Sequence, residues 1–144
     1  MKISTRGRYG IRMMLSLALS YEDGPLSLKA IAGDQDISEK YLEQIVSPLT
    51  KAGLVKSYRG ARGGYVLSHP PAEIIVGDII RVLEGSLSPV DCLDYPSCPN
   101  SDSCVSLSIW KKMKDALDDV VDNISLGDMA AEFTEKSNHC PNVN

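Results

Sequence analysis

Three cysteines, Cys92, Cys98 and Cys104, are the residues of this chain best suited to chemistry. Five residues separate each pair, in the segment DCLDYPSCPNSDSC that covers residues 91–104. The Pro, Ser, Asn and Asp between them follow neither a helical nor a strand period, which predicts a loop. Thiolates favour zinc, Cu(I) and iron–sulfur clusters, but structural zinc usually takes four ligands at shorter spacing. The spacing therefore favours an iron–sulfur centre held by three cysteines and one other ligand.

The composition is that of an ordinary globular domain with an appended element. The chain has 144 residues, of which 43% are hydrophobic and 24% are charged. No run approaches the ~20 apolar residues of a membrane span, and the N-terminus lacks the apolar core of a secretory signal. We therefore expect a cytoplasmic protein without membrane contact. In that reducing compartment four cysteines favour metal or redox chemistry over disulfides.

The net charge of −4 conceals a strong asymmetry between the two halves. Residues 1–70 hold ten Lys and Arg against six Asp and Glu, whereas residues 71–144 hold five against thirteen. The first half is therefore positive by four charges and suited to a polyanion, while the second half would be repelled by one.

Three short helices are predicted before residue 54. The second ends at Ala32, before a polar turn over residues 33–36. The third contains Pro48, which removes a hydrogen bond and predicts a kink or restart, and Gly53 is suited to the left-handed position that ends it. The predicted helix caps are Ser4 or Thr5, Ser27 and Ser38.

A β-hairpin is predicted next, from two β-rich runs at 54–58 and 65–67 joined by an Arg/Gly segment. Three helices followed by a basic hairpin are typical of a winged helix-turn-helix domain, whose later helix enters the major groove of DNA. The alternative is a small α+β domain whose arginines are merely solvated. The position of the Ser38 cap and the arginine-rich hairpin favour the DNA-binding interpretation.

A long amphipathic helix is predicted from about Val105 to Ile124, then a short helix from Ser125 to Phe133. The apolar stripe of the long helix needs another apolar surface to pack against, and the globular module is expected to be nearly complete by residue 84. We therefore expect a homodimer, which suits a palindromic operator; packing on the same domain is the alternative. The predicted interface residues are Trp110, Met113, Leu117 and Val121.

The predicted fold class is mainly α with a small β-wing. It comprises a winged helix-turn-helix domain (1–84), a cysteine loop (85–104), dimerisation and terminal helices (105–133) and a disordered tail (134–144).

Several motifs together resemble the IscR-type iron–sulfur cluster regulators, over about residues 1–130. They are MKISTRGRY at the N-terminus, YLEQ (41–44), AGLV (52–55), RGARGGY (59–65), GDII (77–80) and ISLGD (124–128). The resemblance implies a dimeric bacterial transcription factor that binds double-stranded DNA, and not an enzyme. It also implies a cluster in the cysteine loop and control of iron–sulfur biogenesis genes.

The resemblance also assigns the DNA contacts. Glu43 and Gln44 match the base-reading part of the recognition helix, and Arg59 matches the arginine of the wing that enters the minor groove. Lys40 differs from the small polar residue of the cluster-sensing regulator, which implies a different site preference. The residues assigned to DNA phosphates are Lys2, Arg6, Arg8, Lys56 and Arg62.

The fourth cluster ligand stays open. The resemblance places a histidine where this chain has Leu107, or an acidic residue of the partner subunit where it has Arg8. His69 is interpreted as a turn residue. The other candidates are Asp91, Asp94, Asp102, Ser106, His139 and Cys140. A [2Fe–2S] cluster is preferred over [4Fe–4S], which is usual in a nitric-oxide-sensing branch of the family.

Two alternatives differ from a cluster-dependent regulator. One is a cluster-free repressor of cysteine or sulfur metabolism, controlled by thiol chemistry or by a partner protein; the first half of the chain also resembles such a repressor. The other is an electron-transfer protein or enzyme. The sequence has no Ser-His-Asp set, phosphate-binding loop or paired-carboxylate pocket, and this class would leave the basic first half unexplained.

Overall fold

The computed structural model describes residues 2–95 and 98–139, which form six α-helices and one two-stranded antiparallel sheet. The arrangement is mainly α with a small hairpin, as the sequence predicts. The helices are α1 (Thr5–Leu19), α2 (Leu28–Gln35), α3 (Glu39–Lys51), α4 (Val76–Glu84), α5 (Leu107–Asp122) and α6 (Leu126–His139). The strands are β1 (Val55–Tyr58) and β2 (Gly64–Leu67), and short 3-10 helices cover Pro71–Glu73 and Asp91–Leu93.

Serine side chains begin the first three helices, at the positions predicted. The hydroxyls of Ser4, Ser27 and Ser38 accept backbone N–H groups three residues later, at 3.2, 3.1 and 3.2 Å respectively. Each satisfies one of the unpaired donors at a helix start, a contribution of about 1 kcal/mol. The start of α3, the predicted recognition helix, is therefore fixed locally.

Two predicted boundaries are wrong. Helix α2 continues to Gln35, because Asp36 alone adopts the left-handed conformation (φ 54°) that turns the chain. Helix α3 passes through Pro48 without a restart and ends before Gly53, which has the expected positive φ of 77°. Burial of neighbouring apolar side chains such as Leu49 holds α3 helical despite the hydrogen bond that proline removes.

The core draws on every helix except α5, and it includes the last one. Leu126 of α6 is fully buried with Met13 of α1, Leu42 of α3 and Ile79 of α4. The Leu126 N–H donates to the carbonyl of Ile74 at 2.9 Å. The prediction of a module nearly complete by residue 84 is therefore wrong, because the apolar side of α6 closes it.

Helix α6 is longer than predicted. It extends past Phe133 to His139, so residues 134–139 are helical and the predicted disorder there is wrong. Two local contacts support this last part of the helix. The Ser137 hydroxyl donates to the Phe133 carbonyl, and Lys136 forms an ion pair with the Glu132 carboxylate four residues earlier. The rest of the predicted tail, residues 140–144, lies outside the described residues.

Helices α1 and α4 approach so closely that side chains are excluded between them. A Cβ on Gly10 would lie 2.0 Å from Leu83 Cδ1, and one on Gly7 would lie 2.2 Å from Glu84 Oε1. Glu84 in turn accepts a hydrogen bond from the Ser4 backbone N–H at 3.2 Å and another from its hydroxyl. The end of α4 is thus tied to the start of α1.

Candidate DNA interface and cysteine site

One face of α3 is buried and the other carries polar side chains into solvent. Lys40, Gln44, Ser47 and Lys51 are exposed at spacings of four, three and four residues, which places them on one side of the helix. Glu43 is exposed beside Gln44. The predicted base-reading residues therefore lie on a rigid, outward-facing surface.

A concave surface of about 530 Å³ joins this face to α1. It is lined by Arg6 together with Glu43, Gln44, Ser47, Pro48 and Lys51. The structure thus brings a predicted phosphate contact beside both predicted base contacts. Lys51 was not predicted as a DNA contact, although its helical spacing from Lys40 and Gln44 could have indicated it.

All four basic residues near the N-terminus, Lys2, Arg6, Arg8 and Arg12, are exposed, but Arg12 also has a structural role. The Arg12 guanidinium donates to the side chain and the carbonyl of Gln35, at 2.9 and 2.8 Å. It also lies 5.3 Å from the centre of the Tyr9 ring, which meets the Tyr41 ring edge-on at 5.9 Å. Arg12 therefore helps to set α3 against α1 and α2.

The hairpin presents its arginines at a tightly folded tip. Arg59 and Arg62 are exposed, as is Lys56 on β1. The Gly63 N–H donates to the Gly60 carbonyl at 3.0 Å, and Gly60 has a positive φ of 109°. The hairpin tip and the face of α3 are separate basic projections, as reading two grooves of a duplex requires.

The three predicted cysteine ligands line a single cavity of about 210 Å³. Cys92, Cys98 and Cys104 are each half-buried. No three Cys, His, Asp or Glu side chains within residues 2–95 and 98–139 are placed to hold a single metal ion. The thiols border the cavity without converging on one ion position. An iron–sulfur cluster distributes its protein ligands over more than one iron atom, so its cysteines need not all meet at one point.

Cys104 is the cysteine whose surroundings favour the thiolate. Its sulfur lies 3.3 Å from the Ser106 hydroxyl. Hydrogen bonding from Ser106, assisted by the backbone at Leu107 and Ser106, lowers the pKa of the Cys104 thiol, although partial burial opposes this. A lowered pKa favours the anionic form that binds iron.

The cysteine loop is anchored near its beginning. The hydroxyls of Ser86 and Ser88 both donate to Asp94 Oδ1, at 2.8 and 2.7 Å, and these bonds lower the pKa of Asp94. Leu87 between the two serines is buried. These contacts close the chain around Cys92 and fix where the loop leaves α4.

The described residues around the cavity narrow the question of the fourth ligand. Leu107, the position where a histidine was expected, is in the cavity wall, as are Ser101, Tyr95 and Lys111. Ser106 reaches Cys104, as noted above. Of the other predicted candidates in the described ranges, the following do not line the cavity: Asp91, Asp94, Asp102, His69 and His139. Cys140 lies outside the described residues.

His69 and His139 have other surroundings. His69 lines an open groove beside the hairpin, with Lys56 and Tyr58. The Nδ1 atom of His139 lies 3.0 Å from the carbonyl of Glu135 in its own helix. Neither histidine is brought to the cysteines.

Helix α5 carries two apolar rows. Trp110, Leu117 and Val121, three of the four predicted dimer residues, are half-buried within the chain, and a Cβ on Gly77 of α4 would lie 3.0 Å from Val121 Cγ2. Met113, the fourth, is exposed. Ile109 and Val120 are exposed with Met113 at helical spacing and form an outer row.

Ion pairs fasten α5 to α4. Arg81 donates to Asp118 at 2.8 Å and to Asp122 at 2.6 Å, and both bonds raise the pKa of the guanidinium. Lys114 lies 2.5 Å from the other oxygen of Asp118. Hydrogen bonds from Lys114 and Arg81 lower the pKa of Asp118.

Among the helices of the described residues, none combines the length and the apolar character that a membrane span requires.

The helical core, the exposed face of α3 and the basic hairpin are those of a winged-helix DNA-binding protein. The family and the relatives that match the chain are transcriptional regulators and not enzymes. The chain belongs to the Rrf2 family, described as iron-dependent transcriptional regulators, whose pattern matches residues 3–132. The predicted relation to this type of regulator and the predicted fold class are confirmed.

Two relatives illustrate the match. The transcriptional regulator CymR of Bacillus subtilis strain 168 is 50% identical over 131 residues, which cover 91% of each chain. Its solved structure, titled as that of the global cysteine regulator, superposes with a TM-score of 0.80 over 92% of this chain and 98% of that one, at 48% identity. The T. potens IscR structure gives a TM-score of 0.79 and 48% identity, covering 94% of this chain and 90% of its own.

Proposed function

We propose that this chain is a homodimeric repressor whose binding to a palindromic operator depends on an iron–sulfur cluster in the cysteine cavity. Cys92, Cys98 and Cys104 would hold the cluster, preferably as [2Fe–2S], and the regulated genes would serve iron–sulfur biogenesis. The observation that carries the proposal is that all three cysteines line one cavity, within a loop joined directly to the DNA-binding domain.

The DNA-binding part rests on the surface shared by α1 and α3. Gln44 can pair with adenine and Glu43 can accept from the cytosine amino group in the major groove. Arg6 lines the same concave surface, where it can contact a phosphate. Arg59 at the hairpin tip suits a narrow A·T minor groove.

The cluster-binding part rests on the donor set. Three thiols lie at one cavity, and Cys104 is held toward its thiolate form by Ser106. Apolar Leu93 and Leu107 in the wall limit the access of water. When bound, a cluster with three protein thiolates and one weaker ligand would supply a labile cross-link between distant parts of the loop.

The link between loop and DNA is carried by α4. Gly85 follows Glu84 directly, and Glu84 is bonded to Ser4 at the start of the helix that bears Arg6. At its other end the loop runs into α5, which Arg81 ties to α4. Ordering the loop would therefore act on two joints of the DNA-binding domain, as an order–disorder switch.

The dimer is supported by the outer row of α5. Ile109, Met113 and Val120 are apolar and exposed on one side, whereas α4 covers the other side of the helix. A second copy of the chain would bury this row and place two recognition helices against successive half-sites. Trp110, Leu117 and Val121 would then support the interface from behind, with Met113 in direct contact.

Anaerobic purification tests the proposal. We expect coloured protein with sulfur-to-iron absorption bands and matching iron and sulfide contents, and the EPR spectrum would distinguish [2Fe–2S] from [4Fe–4S]. Operators are then selected from random duplexes and footprinted with and without the cluster. Replacement of Cys92, Cys98 and Cys104 by alanine should remove the colour and change operator affinity. Unchanged DNA binding by the triple variant would refute the switch.

A second candidate function is favoured by the similarity to CymR, which is described as the global cysteine regulator of B. subtilis. In this case the chain would be a cluster-free repressor of cysteine or sulfur metabolism, controlled by thiol chemistry or by a partner protein. The lowered pKa of Cys104 suits a thiol sensor as well as a ligand. Colourless, iron-free protein from the anaerobic preparation, with operator binding sensitive to thiol oxidation or to an added partner, would favour this candidate.

A further inference from the structure

Tyr58 is an exposed aromatic residue that neither the core nor the assigned DNA contacts explain. It is the last residue of β1, next to Arg59, and its side chain remains 54% exposed. Its partner across the hairpin is Gly64, which has no side chain to cover the ring. A large aromatic ring at the edge of the hairpin tip is therefore left open to solvent.

The backbone explains why this position is uncovered. Residue 64 has a φ of 153°, and a Cβ there would lie 2.6 Å from the backbone of Leu26. Leu26 exchanges two backbone hydrogen bonds with Tyr65, at 3.0 and 2.9 Å. This bridge excludes any residue but glycine opposite Tyr58, so the fold cannot cover the ring from the facing strand.

The charge around the ring indicates what could cover it. From residue 44 to residue 72 the sequence contains Lys51, Lys56, Arg59 and Arg62 and no acidic residue. Lys56 and Tyr58 line the same open groove at the side of the hairpin. A molecule that binds this surface must therefore be compatible with the positive charge of these side chains. A nucleic acid is, because its phosphates are negative.

We propose that the Tyr58 ring packs against the wall of the DNA minor groove beside Arg59 and adds a neutral contact to operator binding. This inference rests on the DNA-binding part of the proposed function and deepens it. The sugar faces of the minor groove present apolar surface, and aromatic or apolar side chains are used there by other DNA-binding proteins. The contact would strengthen binding without adding a cation.

The salt dependence of binding separates this contact from its charged neighbour. Loss of a cation that displaces counterions makes the plot of log K against log[salt] shallower by about 0.9, whereas loss of a neutral contact leaves the slope unchanged. We therefore expect Tyr58→Ser to weaken binding about tenfold at each salt concentration, which is at the low end of the losses seen when an aromatic ring that stacks on a base is removed. Arg59→Gln should weaken binding and also reduce the slope.

The experiment uses the anaerobically purified full chain and a duplex selected from random sequence by the wild-type protein. Tyr58→Phe keeps the ring and should bind within twofold of wild type. Tyr21→Ser, at a tyrosine that is 36% exposed in the turn after α1, is the matched control and should also bind normally. Hydroxyl-radical footprints should lose minor-groove protection in Tyr58→Ser next to the positions affected by Arg59→Gln.

Binding of Tyr58→Ser within twofold of wild type would overturn the inference, as would an equal loss in Tyr58→Phe, because the ring would then not be the contact. Either result would leave the proposed repressor function intact. Failure of the wild-type chain to select any duplex would instead refute the proposed function itself. Circular dichroism and the thermal midpoint, expected to be unchanged in every variant, would show that the fold is retained.

Discussion

The DNA-reading face and the cysteine loop are built on different physical foundations. The exposed side chains of α3 lie on a helix whose opposite face is packed into the core, where Leu42, Ile45 and Leu49 are fully buried. The cysteine loop has few such supports within the described residues: Leu87 is buried and Asp94 collects two serine hydroxyls. The first surface is preorganised by the core, whereas the second would gain order from a ligand bound by its thiols.

This difference suits a sensor. A reader of DNA must present Gln44 and Arg59 at fixed separation whether or not a signal is present. A site that reports on a labile ligand must change when the ligand leaves, and a loop with few apolar contacts changes at low cost. Between the two regions, Glu84 at the end of α4 accepts a hydrogen bond from Ser4 at the start of α1.

The largest effect is expected from a substitution that prevents the cysteine loop from binding its cluster and leaves the DNA-reading face intact. Cys98→Ala should abolish the visible absorption of the anaerobic protein, because two thiolates and one weaker ligand cannot retain a cluster. The fold should persist, since Cys98 contributes nothing to the buried core. Absorption spectra and far-ultraviolet circular dichroism would measure both. A coloured Cys98→Ala protein with full iron content would contradict the assigned ligand set.

The next effect tests the close packing of α1 against α4 in the core that supports the DNA-reading face. Gly10→Ala would place a methyl group against Leu83 and should lower the free energy of unfolding by about 1–3 kcal/mol. Gly33→Ala is the control, because no atom lies within 4 Å of its Cβ and it lies in a helix. It should raise stability by about 0.5–1 kcal/mol. Urea denaturation measures both, and equal stabilities would contradict the close α1–α4 packing.

A smaller effect is expected on operator affinity and on the discrimination between base pairs, without a change at the cysteine loop. Gln44→Ala removes one base contact and should weaken operator binding by about 1–2 kcal/mol, with discrimination lost at one base pair per half-site. Lys51→Ala should instead weaken binding to all duplexes alike and make the salt dependence shallower by about 0.9. Titrations on matched and single-substituted operators measure these changes. Neither variant should alter the absorption spectrum. Loss of the cluster in either variant would contradict the independence of the DNA-reading face and the cysteine loop.

The smallest effect concerns the joint between α5 and α4. Asp118→Asn should reduce stability at neutral pH by about 0.5–1 kcal/mol, because its ion pairs are partly exposed. The pKa of Asp118 is lowered in the folded chain, so its contribution is present above the ordinary value of 3.8 and is lost as pH falls through the lowered pKa. The stability curves of wild type and variant should therefore converge in acid.

This measurement is best made in the triple cysteine-to-alanine background, where acid loss of a cluster cannot contribute. Asp115→Asn, a change of the same charge on the same helix, is the control and should cause a smaller loss. A gap between wild type and Asp118→Asn that stays constant into acid would argue that the Arg81 contacts contribute no linked stability.

Much of the fold could be predicted because its signals are local. The serine caps of the first three helices act within three residues, and the positive φ of Gly53 is a property of glycine itself. The prediction at Pro48 failed because distant contacts decide there: the continuity of α3 depends on burial against other helices. The last turns of α6 are instead exposed, and local contacts such as the bond from Ser137 to the Phe133 carbonyl support them.

The candidate sites divide in the same way. The family resemblance predicted which α3 side chains read bases, and cysteine spacing predicted a common site. The position of Arg6 beside Gln44, and the half-burial of Trp110 against its own chain, could not be predicted because they depend on how helices cross. The identity of the fourth ligand stays open for the same reason.

The sequence by itself determined the helix starts, the charge asymmetry, the basic hairpin and the three evenly spaced thiols. Each is a property of residue type or of short-range spacing. The tertiary structure decided that Leu126 closes the core, that Glu84 ties the cysteine loop to the start of α1, and that Gly64 leaves Tyr58 uncovered. Those three facts join residues far apart in the chain, and packing free energy selects them among many pairings that local preferences permit equally.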